Sequence, residues 1–207
     1  MWGCRRVDPH RLGTGRAEDR GTNLAGLKGA SSAQLKASST PTVRQLLYAM
    51  MLPSGCDAAY ALADTFGTGT TTSARTTDFI AQMNTKAQTV GMTNTVFDSF
   101  DGISPTANNL STPRDLAKLT QHAMTAPLFR PIVKTTTYST GGTGGTSALA
   151  TWSNSNLLVQ PRPTGYGHPG AVGVKTGTTT AGKWLVFSVT RNENGSVKFS
   201  ALSHIRW

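Results

Sequence analysis

Cysteines, acidic residues and long apolar runs are all scarce in this sequence of 207 residues. The two cysteines, Cys4 and Cys56, can form at most one disulfide, and neither has a neighbour at the spacing of zinc ligands. The sequence therefore excludes a disulfide-rich framework and predicts no metal site. No apolar run reaches roughly 18 residues, so no transmembrane helix is predicted. The first residues also lack the apolar segment of a signal peptide, so none is expected.

Basic residues outnumber acidic ones by 20 to 10, which gives a net charge of +10. Nucleic acid and an anionic cell-wall or membrane surface both attract such a charge. Neither aromatic–basic interleaving nor a recognition helix accompanies it, so we expect no nucleic-acid partner. A steep salt dependence of DNA binding would favour that alternative.

The chain is long enough for one domain with a buried core. Residues 1–25 are rich in Arg and Gly and show no helical or strand period. They are predicted to form a disordered or non-native leader. We expect a single domain over residues 26–207.

Helix signals dominate the middle of the sequence. Thr42 and Gln45 have the spacing of a capping box and precede an apolar face, which predicts a first helix that ends near Pro53. Thr112 and Pro113 have the pattern of an N-cap followed by proline at the first helical position. The remaining predictions here are a helix over 57–67, a loop over 67–77 and a helix that includes 79–87.

Strand signals dominate after Pro131. Strands are predicted over 135–140 and 148–159, separated by a flexible Gly-rich segment at 141–145. A hairpin is predicted from 184–191 and 196–205, joined by a turn that contains Asn194-Gly195. Helices followed by an antiparallel sheet indicate an α+β fold.

The triplet Lys175-Thr176-Gly177 lies in a strand-like run that leads into a turn. Such a triplet is one of three motifs in active-serine acyl-transfer sites, together with Ser-x-x-Lys and a Ser-x-Asn-like triplet. Ser54-Gly55-Cys56 lies between two predicted helices, upstream of it. Taken alone, Ser54-Gly55-Cys56 is better explained as a simple Pro-Ser-Gly turn between helices.

The wider sequence favours a functional interpretation, because eight segments along the chain resemble, in the same order, segments of one protein family. These segments are 42–47, 51–63, 83–84, 90–93, 100–103, 111–117, 154–158 and 173–179. Together they resemble the serine D-alanyl-D-alanine carboxypeptidases, the low-molecular-mass penicillin-binding proteins, over about 42–205. The Ser-Gly-Cys triplet looks like the variant of some actinobacterial members, and the match is better than to a β-lactamase.

The resemblance implies a β-lactamase/transpeptidase-like fold with a helical body and an antiparallel sheet. It implies cleavage or transfer of the terminal D-Ala-D-Ala bond of peptidoglycan peptides through an acyl-serine, without a cofactor. It also implies an extracytoplasmic location, and β-lactam antibiotics as ligands of an intact homologue.

The resemblance assigns substrate recognition to the strand that contains the triplet. Lys175 would supply positive charge for the terminal carboxylate of the substrate, and Thr176 would donate a hydrogen bond to it. Gly177 would let the substrate backbone lie along the strand edge. The backbone N–H of Thr178 would be one of two oxyanion donors.

The triplet at the helix junction is implied to act on the leaving group and on the substrate amide. Ser54, linked to Lys175, would relay a proton to the leaving amine. Cys56 stands where the family usually has the asparagine that bonds the substrate amide, and a thiol is a weaker hydrogen-bonding group.

The third motif, Ser-x-x-Lys, is absent. The residues three positions before the eight lysines are Ala25, Ala33, Met83, Asp115, Pro131, Val172, Thr180 and Gly195. We therefore expect a fragment that lacks the nucleophile helix, the first strands and the closing C-terminal helix. A truncated gene model and a degenerate paralogue both explain it, and a non-catalytic cell-wall-binding remnant is the functional alternative.

Overall fold

The computed structural model describes residues 30–35, 41–106, 108–140, 150–160, 167–178, 184–191 and 197–204. The predicted leader over 1–25, the Gly-rich segment 141–145 and the Asn194-Gly195 turn lie outside the described residues. The helices are α1 (Val43–Met51), α2 (Cys56–Phe66), α3 (Thr72–Thr89), α4 (Pro113–Ala123) and α5 (Phe129–Lys134). The strands are β1 (Thr137–Ser139), β2 (Thr151–Ser153), β3 (Ala171–Thr178), β4 (Trp184–Arg191) and β5 (Val197–His204).

Helices α1 and α4 begin where the sequence predicts. Thr42 accepts a hydrogen bond from the backbone N–H of Gln45 at 3.2 Å, and the Gln45 side chain accepts one from the Thr42 N–H at 2.7 Å. This is the predicted capping box. At α4, Thr112 is the N-cap and Pro113 is the first helical residue, where its missing N–H costs no hydrogen bond.

Helix α3 begins earlier than predicted, so the predicted loop over 67–77 is wrong in its second half. Thr71 caps the helix by accepting from the Ala74 N–H at 3.1 Å. Arg75, in the first turn, forms an ion pair of 2.6 Å with Asp64 of α2. The start of α3 is therefore fixed by polar contacts, which the periodic spacing of apolar residues does not reveal.

The sequence does not predict helix α5, because strand signals dominate after Pro131. Pro131 occupies the first turn of α5, where backbone N–H groups have no partner within the helix and proline is tolerated. The strand predicted over 148–159 is also too long. Only Thr151–Ser153 is strand, and Leu157–Val159 forms a turn of 3₁₀ helix.

The strands form two antiparallel groups. β1 pairs with β2, and the second sheet has the order β3–β4–β5. β3 is an edge strand among the described residues, so one side of its backbone is unpaired there. The Lys175-Thr176-Gly177 triplet lies on this edge strand.

The core lies between helices α1, α2 and α5 and strands β2 and β3. Its buried side chains are Ala33, Leu46, Ala49, Met51, Leu52, Ala58, Ala61, Leu62, Ile132, Val133, Trp152 and Val174. Trp152 also donates from its indole N–H to the carbonyl of Ala33 at 2.9 Å. Gly173 brings β3 against α5, because its φ is +140° and an added Cβ would lie 2.7 Å from Val133 Cγ2. β3 and the helical body are thus packed tightly at the level of the triplet.

No helix within the described ranges is long and apolar enough to cross a membrane.

Candidate active site

Ser54 lies in the short connection between α1 and α2. Its φ is +63°, a left-handed conformation that costs a residue with a side chain about 1 kcal/mol. The neighbouring glycine holds it there: the Gly55 N–H donates to the carbonyl of Ala49 at 3.0 Å. A Cβ on Gly55 would lie 2.7 Å from both Ala33 Cβ and Asp57 Oδ1, so only glycine fits. The packing around Gly55 therefore fixes the direction of the Ser54 side chain.

The structure brings Ser54 and Lys175 together. Lys175 Nζ donates a hydrogen bond to Ser54 Oγ and a second one, of 2.7 Å, to the carbonyl of Thr176. No ion pair among the described residues includes Lys175. Its charge is thus held in place by neutral acceptors, which leaves it available to an anionic ligand.

Burial lowers the pKa of Lys175 to about 8. The ordinary pKa of a lysine is about 10.4. With a pKa of about 8, roughly nine-tenths of the side chains are protonated at pH 7, and loss of the proton needs little free energy. Such a lysine can both attract a carboxylate and exchange a proton with Ser54 near neutral pH.

Thr176 forms a hydrogen bond with Ser155, a residue that the sequence did not single out. The hydroxyls of Thr176 and Ser155 lie 2.7 Å apart, and either oxygen can donate. The backbone N–H of Ser155 donates to the carbonyl of Leu52 at 3.0 Å, two residues before Ser54. The sequence signal was present, since Ser155 lies in the matched segment 154–158, but the sequence assigns no role to it.

Gly177 and Thr178 continue β3 beyond the lysine. Gly177 pairs with Leu185 of β4, and Thr178 pairs with Trp184. The structure therefore places both predicted positions on the edge strand, in line with Lys175. Their roles toward a substrate stay predictions.

Cys56 lies in the first turn of α2, with only 6% of its surface exposed. Its thiol lies 3.9 Å from the carbonyl of Ser54 and donates toward it. Burial raises the pKa of Cys56 to about 11, and the negative charge of Asp101 adds to this effect. The side chain is therefore a neutral thiol at physiological pH, and its predicted contact with a substrate amide stays a prediction.

Asp57 is a second residue of the site that the sequence did not single out. Its carboxylate accepts from the backbone N–H groups of Ala33 at 2.9 Å and Leu35 at 3.0 Å, and from the Ser32 hydroxyl at 3.0 Å. The N–H of Cys56 donates in turn to the carbonyl of Ser31 at 2.9 Å. Segment 30–35 is thereby fixed against the connection that contains Ser54.

Similarity to known proteins extends over most of the chain. The profile of the Peptidase S11 family, D-alanyl-D-alanine carboxypeptidase, matches residues 14–199. The D-alanyl-D-alanine carboxypeptidase of Streptomyces sp. strain K15 is 48% identical over 165 residues, which are 78% of this chain and 54% of the relative. The D-alanyl-D-alanine carboxypeptidase DacB2 of Mycobacterium tuberculosis is 35% identical over 144 residues, which are 69% of this chain and 44% of the relative.

A solved structure gives the same result. The crystal structure of the Streptomyces K15 DD-transpeptidase superposes with a TM-score of 0.80 at 41% identity, over 90% of this chain and 69% of that one. The α+β, transpeptidase-like fold predicted from the sequence is thereby confirmed. The chain spans about half the length of the curated relatives it matches.

Proposed function

This chain belongs to the D-alanyl-D-alanine carboxypeptidase family, Peptidase S11, and on that premise we propose that its site recognises the D-Ala-D-Ala end of peptidoglycan stem peptides. The reaction it would serve is that of a serine carboxypeptidase or transpeptidase. The observation that carries the proposal is the contact between Ser54 and Lys175, beside an edge of β3 with which no other described strand pairs. It joins two of the three family motifs into one site.

Recognition would use the positive charge of Lys175 and the backbone of the β3 edge. The ammonium of Lys175 attracts the terminal carboxylate, and the Thr176 hydroxyl donates to it. Charge-assisted hydrogen bonds of this kind contribute about 1.5–3 kcal/mol. The peptide backbone would add to β3 as a further strand, which Gly177 allows because it has no side chain.

In a family member with a complete site, the nucleophilic serine oxygen bonds to the carbonyl carbon of the penultimate D-Ala, and the C–N bond to the last D-Ala breaks. The leaving nitrogen needs a proton, which Ser54 would donate and Lys175 would replace. The pKa of about 8 supports this role for Lys175, because protonated and neutral forms are both accessible. The N–H of Thr178 would stabilise the oxyanion.

The 207 residues contain no Ser-x-x-Lys, so we propose substrate recognition without formation of an acyl-enzyme by this chain. Covalent catalysis needs the nucleophile, whose loss costs several orders of magnitude in rate. The balance between hydrolysis and transpeptidation would be a property of a complete site that contains the nucleophile. β-Lactams, which the family binds, would find the carboxylate side of the site but no serine to acylate.

Binding of an acyl-D-Ala-D-Ala peptide to the chain tests the proposal, measured by calorimetry or by NMR chemical-shift changes. We expect the peptide with a free carboxylate to bind at least about tenfold more tightly than its C-terminal amide or the L-Ala-L-Ala isomer. Lys175→Ala should remove the preference for the free acid. Lys134→Ala, which removes an exposed lysine of α5, is the matched control and should keep it. Equal affinity for acid and amide, or no binding, would overturn the proposal.

A non-catalytic cell-wall-binding protein is the second candidate, favoured by the absence of Ser-x-x-Lys from these 207 residues, which keep the Ser54–Lys175 contact. Sedimentation with purified peptidoglycan, followed by measurement of released D-Ala, tests this candidate. Cosedimentation without D-Ala release supports non-catalytic binding to the cell wall, and release of D-Ala contradicts both this candidate and the absence of an acyl-enzyme proposed above.

Both candidates place the protein outside the cytoplasmic membrane, where peptidoglycan stem peptides lie. Cell fractionation with an antibody against the chain tests this location, and recovery in the cytoplasmic fraction alone would contradict it.

A further inference from the structure

Ser155 connects strand β3 to the chain segment that leads into Ser54, through two hydrogen bonds. Its hydroxyl lies 2.7 Å from that of Thr176 on β3, and its backbone N–H donates to the carbonyl of Leu52 at 3.0 Å. Leu52 directly follows α1 and precedes the Ser54 connection. Ser155 is nevertheless an exposed residue, so its hydroxyl is accessible from solvent.

A buried asparagine frame fixes Ser155 in place. Asn154 is 4% exposed and Asn156 is 1% exposed, and the N–H of Asn156 donates to the side-chain oxygen of Asn154 at 2.9 Å. The amide of Asn154 donates to the carbonyls of Val133 at 3.2 Å and Thr135 at 2.9 Å. A single exposed hydroxyl is therefore held by hydrogen bonds that are themselves mostly buried. Such an arrangement lowers the entropy cost of ordering the hydroxyl when a ligand binds.

The hydroxyl pair of Ser155 and Thr176 can hold only one hydrogen between its two oxygens. If Thr176 donates to Ser155, it has no hydrogen left for a carboxylate, because a hydroxyl carries one. If Ser155 donates to Thr176, the Thr176 hydrogen is free to point at the ligand. An anion beside Lys175 favours the second arrangement, since the anion accepts a hydrogen bond and cannot donate one.

We propose that Ser155 is a positioning residue of the carboxylate subsite: it donates its hydrogen to Thr176 Oγ1 and so directs the Thr176 hydroxyl toward the terminal carboxylate of the ligand. The inference rests on the proposed function, because it presumes that a carboxylate binds beside Lys175. Ser155 acts through Thr176 and not by a contact of its own. It therefore contributes to discrimination between a free carboxylate and an amide.

The test is a set of binding titrations with acyl-D-Ala-D-Ala and its C-terminal amide. The variants are Ser155→Ala, Ser155→Thr, Thr176→Ala and the double variant, and the matched control is Ser153→Ala, two positions away and also exposed. We expect Ser155→Ala to weaken binding of the free acid by about 3- to 10-fold, as expected for one neutral hydrogen bond, and to leave amide binding unchanged. Ser155→Thr keeps the hydroxyl and should retain most of the affinity.

The double variant distinguishes positioning from a direct contact. Because Ser155 acts through Thr176, the double variant should bind the acid no more weakly than Thr176→Ala alone, a non-additive result. Thermal unfolding of each variant shows whether the fold is kept. Ser153→Ala should match the unsubstituted chain in every measurement.

Three results would overturn the inference. If the unsubstituted chain prefers the acid but Ser155→Ala binds it with unchanged affinity, Ser155 has no role and the proposed function stands. Equal weakening of acid and amide binding would show a purely structural role for Ser155. If the unsubstituted chain does not distinguish acid from amide, the proposed function fails and the inference fails with it.

Discussion

Lys175 donates a hydrogen bond from its Nζ to the Oγ of Ser54, although 121 positions separate the two residues in the sequence. The contact joins the connection between two helices to an edge strand of the sheet. It gives the lysine a neutral partner and gives the serine a proton source. The behaviour of this pair is the most direct property of the site to measure.

Carboxylate binding should depend on pH through Lys175. Its pKa of about 8 means that the ammonium form dominates below pH 8 and the neutral amine above it. Affinity for acyl-D-Ala-D-Ala should therefore be highest below pH 8 and should fall as the pH rises through and beyond this value. A bound carboxylate favours the charged lysine and raises its pKa, so the midpoint in the complex should lie above 8. Calorimetric titrations between pH 6 and pH 10, at about one-unit steps, measure the effect.

The C-terminal amide of the same peptide is the control for the pH series, because it carries no charge for Lys175 to attract. Its affinity should change little over this range. A free acid whose affinity is flat across pH 8 would show that Lys175 does not provide the charge.

Fluorescent penicillin should not label the chain covalently. Acylation requires a serine activated by a nearby lysine in a Ser-x-x-Lys motif, and the sequence contains none. After incubation and denaturing electrophoresis we expect no fluorescent band, whereas a complete penicillin-binding protein in the same gel should be labelled. A band that survives denaturation, and that Ser54→Ala abolishes, would show that Ser54 itself can be acylated.

Asp57→Ala should destabilise the fold and release segment 30–35. Asp57 is 7% exposed, and removal of its carboxylate leaves the N–H groups of Ala33 and Leu35 without their acceptor. We expect a loss of about 2–4 kcal/mol in the free energy of unfolding, measured by denaturant titration. Amide exchange at Ala33 and Leu35 should accelerate. Ser32→Ala removes the hydroxyl bond to the same carboxylate and an exposed acceptor of the Gln34 N–H, and should cost within about 1 kcal/mol. Equal costs for the two substitutions would contradict this ranking.

The Cys56 thiol should be slow to alkylate in the native chain. Its pKa of about 11 leaves roughly 0.1% thiolate at pH 8, and the thiolate is the reactive form. Mass spectrometry of the Cys56 peptide after iodoacetamide treatment should show a rate about 100-fold lower than in denaturant, where the pKa returns to its ordinary value. Comparable rates in the two conditions would mean that Cys56 is more open than its 6% exposure indicates.

Local patterns predicted the helices whose ends are decided locally. Thr42 with Gln45, and Thr112 with Pro113, specify helix starts through contacts within four residues, and both starts are confirmed. The start of α3 was missed because its cap, Thr71, precedes a polar first turn without apolar periodicity, and because Arg75 in that turn pairs with Asp64 of another helix. α5 was missed because proline ends a helix in the interior but not in the first turn.

The sequence by itself determined the family and the order of its motifs, since these are properties of residue identity and spacing. It also determined the absence of Ser-x-x-Lys. Only the tertiary structure decided which groups meet: Lys175 with Ser54, Thr176 with Ser155, and Asp57 with segment 30–35. The physical reason is that these contacts join residues about 20 to 120 positions apart. Hydrogen bonds over such separations depend on how helices and strands pack, and no local pattern encodes that packing.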